Sequence, residues 1–168
     1  MSFSLQWRTA VEVPSQALAF YRRHLVLIAG ISLVPGAQRF VSLLTDLPGP
    51  FPVVLEGVTI LARVLLIGLI VRLAFWREPA GDGGRPGRFL RERWPSLGIQ
   101  AIMLGGLVAF FNWIQSLGES VHTAVMLLVM NPTVIAFTFV WTVLAARQVV
   151  TYAPGDRLDP PQVAAGKP

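Results

Sequence analysis

The sequence predicts an all-α integral membrane protein, a four-helix bundle in a single domain over residues 1–152. Three observations predict it. The first is composition: 168 residues with 54% hydrophobic and only 14% charged side chains, at a mean hydropathy of +0.60, lie far from the balance of a soluble domain. The second is length, because a span needs about 20 mainly apolar residues and four stretches qualify, 25–44, 53–76, 97–117 and 122–146. The third is where the cations sit. Eleven of the fourteen lie before the first stretch, between the second and third, or after the fourth; the connections near Asp46 and Glu119 contain none. Lys and Arg in short flanking loops are retained on the cytoplasmic side, so both termini are expected there.

Taken in order, residues 14–24 form an amphipathic lead-in, with Leu18 and Tyr21 beside Ala17 and Phe20 and with Arg22 and Arg23 at its end. Such a helix is expected to lie in the membrane interface. The first span, 25–44, begins too late and runs too long for a cleaved signal and lacks a small-residue cleavage site before Asp46. After the second span, the basic loop 77–96 holds Arg77, Arg85, Arg88, Arg91 and Arg93 and a glycine-rich turn. Its second part is again amphipathic, Phe89, Leu90 and Trp94 opposing Arg88, Arg91 and Glu92. Pro14 and Pro86, and likewise Leu25 and Leu97, are offset by 72 residues, a weak repeat that suggests two tandem units of one interfacial helix and two spans. Trp76, Trp94, Trp113, Trp141 and Tyr152 fall where interfacial aromatics are expected. Residues 153–168, rich in Pro, Gly and Ala, are expected to be a disordered cytoplasmic tail.

The second span contains Glu56, Arg63 and Arg72. At roughly 1.5 Å per residue, Glu56 lies about 13 Å to the outer side of its middle and Arg72 about 11 Å to the inner side. Only Arg63 is at the midplane, where an arginine costs about 2.5–3.5 kcal/mol and must face protein or water. Glu56 and Arg63, seven apart, share a helix face. Arg39, Asn112 and Asn131 fall on the outer side of the middles of the other spans, and Pro35 and Pro132 free the carbonyls of Ile31 and Leu128. The expectation is one buried polar cluster of Arg39, Glu56, Arg63, Asn112 and Asn131, with Arg39 paired to Glu56 and Arg63 held by Asn131 and the freed carbonyls. The cluster serves either as packing glue or as a cleft for an anionic lipid head or carboxylate. Glue is preferred, since Glu56 already neutralises part of the charge.

Ala101, Gly105 and Ala109, spaced by four, form a small-residue ridge for close helix packing. Arg22, Arg23, Arg85, Arg88, Arg91 and Arg93 are placed to meet anionic headgroups on the cytoplasmic side, which accounts for the basic balance without nucleic acid. With no cysteine and only His24 and His122 as histidines, no metal site or other cofactor is expected. No nucleophile elbow, zinc-protease motif or Ser-x-x-Lys is present, so an enzyme is not expected. Thirteen arginines against one lysine fit a GC-rich bacterial genome and hence a bacterial inner membrane. Two functions follow: a non-catalytic accessory or assembly subunit of a membrane complex, or a homo-oligomer; alternatively, a transporter-type or lipid-binding protein using the cleft around Arg39, Glu56 and Arg63.

Overall fold

The computed structural model describes residues 3–45, 48–76, 86–118 and 120–152, and these are helical almost throughout. Backbone amides placed in hydrocarbon have no water to bond, so each must be satisfied within its own helix. The chain forms α1 (Phe3–Arg23), α2 (Leu25–Leu44), α3 (Phe51–Phe75), α4 (Pro86–Ser116), α5 (Ser120–Met130), a π-helical turn (Asn131–Ile135) and α6 (Ala136–Val150). Four stretches are long and apolar enough to cross a membrane: α2, α3, α4, and the run from α5 through α6. The architecture is an all-α bundle. The expected tail 153–168, residues 77–85 of the basic loop with Arg77 and Arg85, and Glu119 lie outside the described residues.

Both lead-in segments continue into their spans through a kink rather than a loop. At His24 the backbone leaves helical values (φ −112°, ψ 21°), yet its amide still bonds the Phe20 carbonyl at 3.1 Å and its carbonyl accepts from Ile28 at 3.0 Å. At Arg93 it does so again (φ −127°, ψ 16°), two residues before Pro95, whose ring crowds the preceding turn. The two halves of the sequence thus each have a kink, but Arg93 falls three residues short of the position that the 72-residue offset pairs with His24. They differ in the length of what precedes it, since α1 reaches back to Phe3 and carries Pro14 in its interior. Proline at that position is usually a helix start. Here the helix runs through it, and α1 docks its buried Ala10, Val13 and Ala17 in the bundle, against α4 and α6.

The helix between the others is α2. It packs on α3 along one side and on α5 and the π turn along another, while α3 also packs on α6. Among the described residues α3 makes no contact with α5 or the π turn, so the bundle is closed only in the half nearer the termini. There Ile28, Leu66, Ile70, Ala74, Val140, Trp141 and Leu144 form one apolar core. Trp141 corrects one expectation: it is buried, with its Nε1 donating to Gln100 Oε1 at 3.3 Å, and does not sit as an interfacial aromatic. Trp76, Trp94 and Trp113 are exposed, and the Arg72 guanidinium stacks 4.9 Å over the Trp76 ring. The turn from α2 to α3 passes through Gly49 at φ +64°, a left-handed conformation that favours glycine.

Candidate functional site at mid-span

Three irregular features coincide halfway along their helices: Pro35 and Gly36 in α2, Arg63 as the central residue of α3, and the π turn in the fourth span. The π turn has a direct cause. Pro132 lacks an amide proton and cannot close the ordinary helical bond, so the turn widens, and single π turns are frequent at functional sites. Side chains bond the carbonyls on either side of Leu128, the one that Pro132 leaves without its ordinary donor. Asn131 Nδ2 donates to the Leu127 carbonyl at 2.7 Å and Thr133 Oγ1 to that of Val129 at 2.7 Å. The hydroxyl of Tyr21, from α1, donates to the Pro132 carbonyl, and burial raises its pKa above the usual phenol value. Gly36 packs directly on this turn: a Cβ there would lie 3.2 Å from the Leu128 carbonyl oxygen and 3.3 Å from the Asn131 Cβ.

Arg39 and Glu56 form an ion pair across α2 and α3 at 3.6 Å, with both side chains 44% exposed. This contact joins the two antiparallel helices near the turn between them. Thr59, Arg63, Leu66 and Ile70 follow at helical spacing along one face of α3, and Ser32, Pro35 and Arg39 do so along α2.

The five expected cluster residues do not converge. Asn112 stands exposed on α4, which packs on α1, α5 and α6 and touches neither α2 nor α3. Asn131 is buried on the far side of α2 from α3, its Nδ2 engaged within its own span and its Oδ1 without a partner among the described residues. It therefore does not hold Arg63, nor do the proline-loosened carbonyls described above. Arg63 is half-buried, and its Nε has no hydrogen-bond partner among the described residues. Ser32 Oγ, Thr59 Oγ1 and Gln38 Oε1 are also buried and unpaired. Depth alone ranked Asn112 with Arg39; which neighbour a helix faces was the missing information. Ser32 and Thr59 were visible as polar residues in apolar spans and are the signal that went unused.

The remaining features lie elsewhere. Ala101, Gly105 and Ala109 are all exposed, and a Cβ at Gly98, Gly105 or Gly106 would meet nothing within 4 Å. Only 6% of the apolar stretch of α4 is buried, against 22–33% for the other three spans. Arg22, Arg23, Arg88 and Arg91 are exposed at the ends of the lead-in segments, and Arg93 sits 5.4 Å over the Tyr152 ring. On the lead-in before the Arg93 kink, Glu92 accepts from Arg88 at 2.6 Å and from the Tyr152 hydroxyl at 2.9 Å. Those donors, Arg88 first, hold its carboxyl below the usual range. Among the described residues no group of three His, Cys, Asp or Glu could hold a metal ion. Comparison of the chain with protein-family models, curated proteins and solved structures gives no match.

Proposed function

We propose that the protein is a non-catalytic accessory or assembly subunit of a membrane complex, whether with a different membrane protein or with further copies of itself, engaged through the open face of α4. The observation that carries this is the exposure of the Ala101, Gly105 and Ala109 ridge on the least covered span. Small residues allow helix backbones to approach closely, and helix association in lipid is driven by that packing. A ridge of this kind pointing into lipid gains nothing there. The supporting setting is a bacterial inner membrane with both termini cytoplasmic, where exposed Arg22, Arg23, Arg88 and Arg91 meet anionic headgroups.

The test is purification from native membranes in mild detergent, followed by native mass spectrometry. The wild type is expected to elute with a stoichiometric membrane-protein partner or as an oligomer. Gly105→Leu is expected to elute alone with unchanged helix content, because a side chain at Gly105 meets nothing within 4 Å inside the protein. A wild type that is monomeric and partner-free, or a Gly105→Leu variant that keeps its partner, refutes the assignment.

A further inference from the structure

We infer that a groove between the end of α1, α4 and the π turn holds an acyl chain of an anionic phospholipid, whose phosphate head is received by Arg22. The groove has a volume of about 280 Å³ and is lined by Leu18 and Tyr21 of α1, Leu107 of α4, Thr133 and Val134 of the π turn, and Phe137 of α6. The inference rests on the membrane setting and the headgroup role of Arg22 proposed above, and it does not depend on the α4 ridge finding a partner.

Four observations identify the occupant. First, the surface of the groove is apolar throughout. Its two hydroxyl-bearing residues spend their polar atoms elsewhere: the Tyr21 hydroxyl donates to the Pro132 carbonyl, and Thr133 Oγ1 donates to that of Val129 at 2.7 Å. A ring and a methyl group are what they offer the groove, so neither water nor a polar ligand finds a partner there. Second, the space is too large for a packing gap. A water molecule takes about 30 Å³, and apolar cavities of roughly 150 Å³ stay dry yet accept apolar guests. Left empty, the groove forfeits the dispersion contacts of all its walls. Third, depth selects the guest. Leu107 and Val134 are the central residues of the stretches 97–117 and 122–146, and Leu18 and Thr133 are exposed. A groove open at that depth is met by acyl chains, whose flexible ends fit an irregular apolar surface. Fourth, charge selects the head. Leu18, Tyr21 and Arg22 share one face of α1 by their spacing of three and four. Arg22 lies one turn, about 5.4 Å, beyond Leu18. It is exposed, with Arg23 exposed beside it, where the first span begins. Among the described residues neither is in an ion pair. A guanidinium on a long apolar stem reaches from hydrocarbon to the headgroup level and gives a phosphate charge-assisted hydrogen bonds.

The test is photolabelling of the full-length protein in phosphatidylcholine nanodiscs. The probe is phosphatidylglycerol with a diazirine toward the end of one acyl chain, the matching phosphatidylcholine is its comparison, and adducts are mapped by mass spectrometry after digestion. Saturable labelling of the groove walls by the phosphatidylglycerol probe is expected, competed by unlabelled phosphatidylglycerol. Arg22→Gln is expected to weaken it about fivefold, the value of one cation beside an anionic lipid, and Arg88→Gln to leave it unchanged. Leu107→Trp, which fills the groove, is expected to abolish wall labelling at unchanged helix content, whereas Leu61→Trp on the exposed face of α3 keeps it. Gly105→Leu is expected to label as the wild type does, so failure of the α4 partner face and failure of the groove are read separately. Labelling that does not saturate, equal labelling by the two probes, wild-type labelling of folded Leu107→Trp, or cross-linking that shows a second copy seated on these walls overturns the proposal. Should Leu107→Trp fail to fold, undiminished labelling of Arg22→Gln overturns it instead.

Discussion

Replacing Gly36 with alanine tests the packing of α2 on the π turn. In an open helical position Gly→Ala gains about 0.5–1 kcal/mol, since glycine loses more backbone freedom on folding. At Gly36 the new methyl meets the Leu128 carbonyl oxygen at 3.2 Å, the Asn131 Cβ at 3.3 Å and the Leu128 Cα at 3.4 Å. Two of those neighbours are backbone atoms and the third is fixed by the Asn131 bond to Leu127, so none yields cheaply. Overpacking of this kind costs about 1–3 kcal/mol. The strain exceeds the gain, and a net loss of about 0–2.5 kcal/mol is expected. Gly68→Ala on α3 is the control, because nothing lies within 4 Å of its Cβ, and it should gain or remain neutral. Unfolding of the detergent-solubilised protein by increasing dodecyl sulfate, followed by far-ultraviolet circular dichroism, ranks the two. If Gly36→Ala proves at least as stable as Gly68→Ala, α2 does not seat on the π turn as described.

Reversal of either charge in the Arg39–Glu56 pair, Arg39→Glu or Glu56→Arg, should cost on the order of 1 kcal/mol, a modest amount because both side chains are 44% exposed. The double reversal should regain most of it in the same unfolding assay; a double variant no better than the worse single one removes the pair. Tyr21→Phe should destabilise by about 0.5–1.5 kcal/mol through loss of the hydroxyl bond to the Pro132 carbonyl. Hydrogen exchange at the residues around the π turn should rise in that variant, and unchanged exchange would show that α1 does not clamp it.

Much of the architecture was legible because apolar runs are bracketed sharply. Arg22, Arg23 and His24 stand directly before Leu25, and α2 runs over Leu25–Leu44 as the hydropathy requires. Arg39 and Glu56 met because two antiparallel neighbours place equal depths side by side. The same arithmetic misplaced Asn112, since depth carries no information about which helix lies next to which. The reach of α1 back to Phe3 was hidden by Pro14, whose usual position is a helix start. Asn131–Pro132 was legible as a break, but not as a π turn with its own side-chain donors. Gly36 was silent for another reason: its smallness matters only against a backbone almost a hundred residues further along the chain.

Ribosomal synthesis proceeds from the N-terminus, so α2 is made long before the π turn against which Gly36 rests. At that stage α2 has only α1, α3 and lipid as company. The helix at the centre of the finished bundle is thus among the earliest to be threaded into the bilayer, and it waits for nearly the whole polypeptide to emerge before its second side is covered.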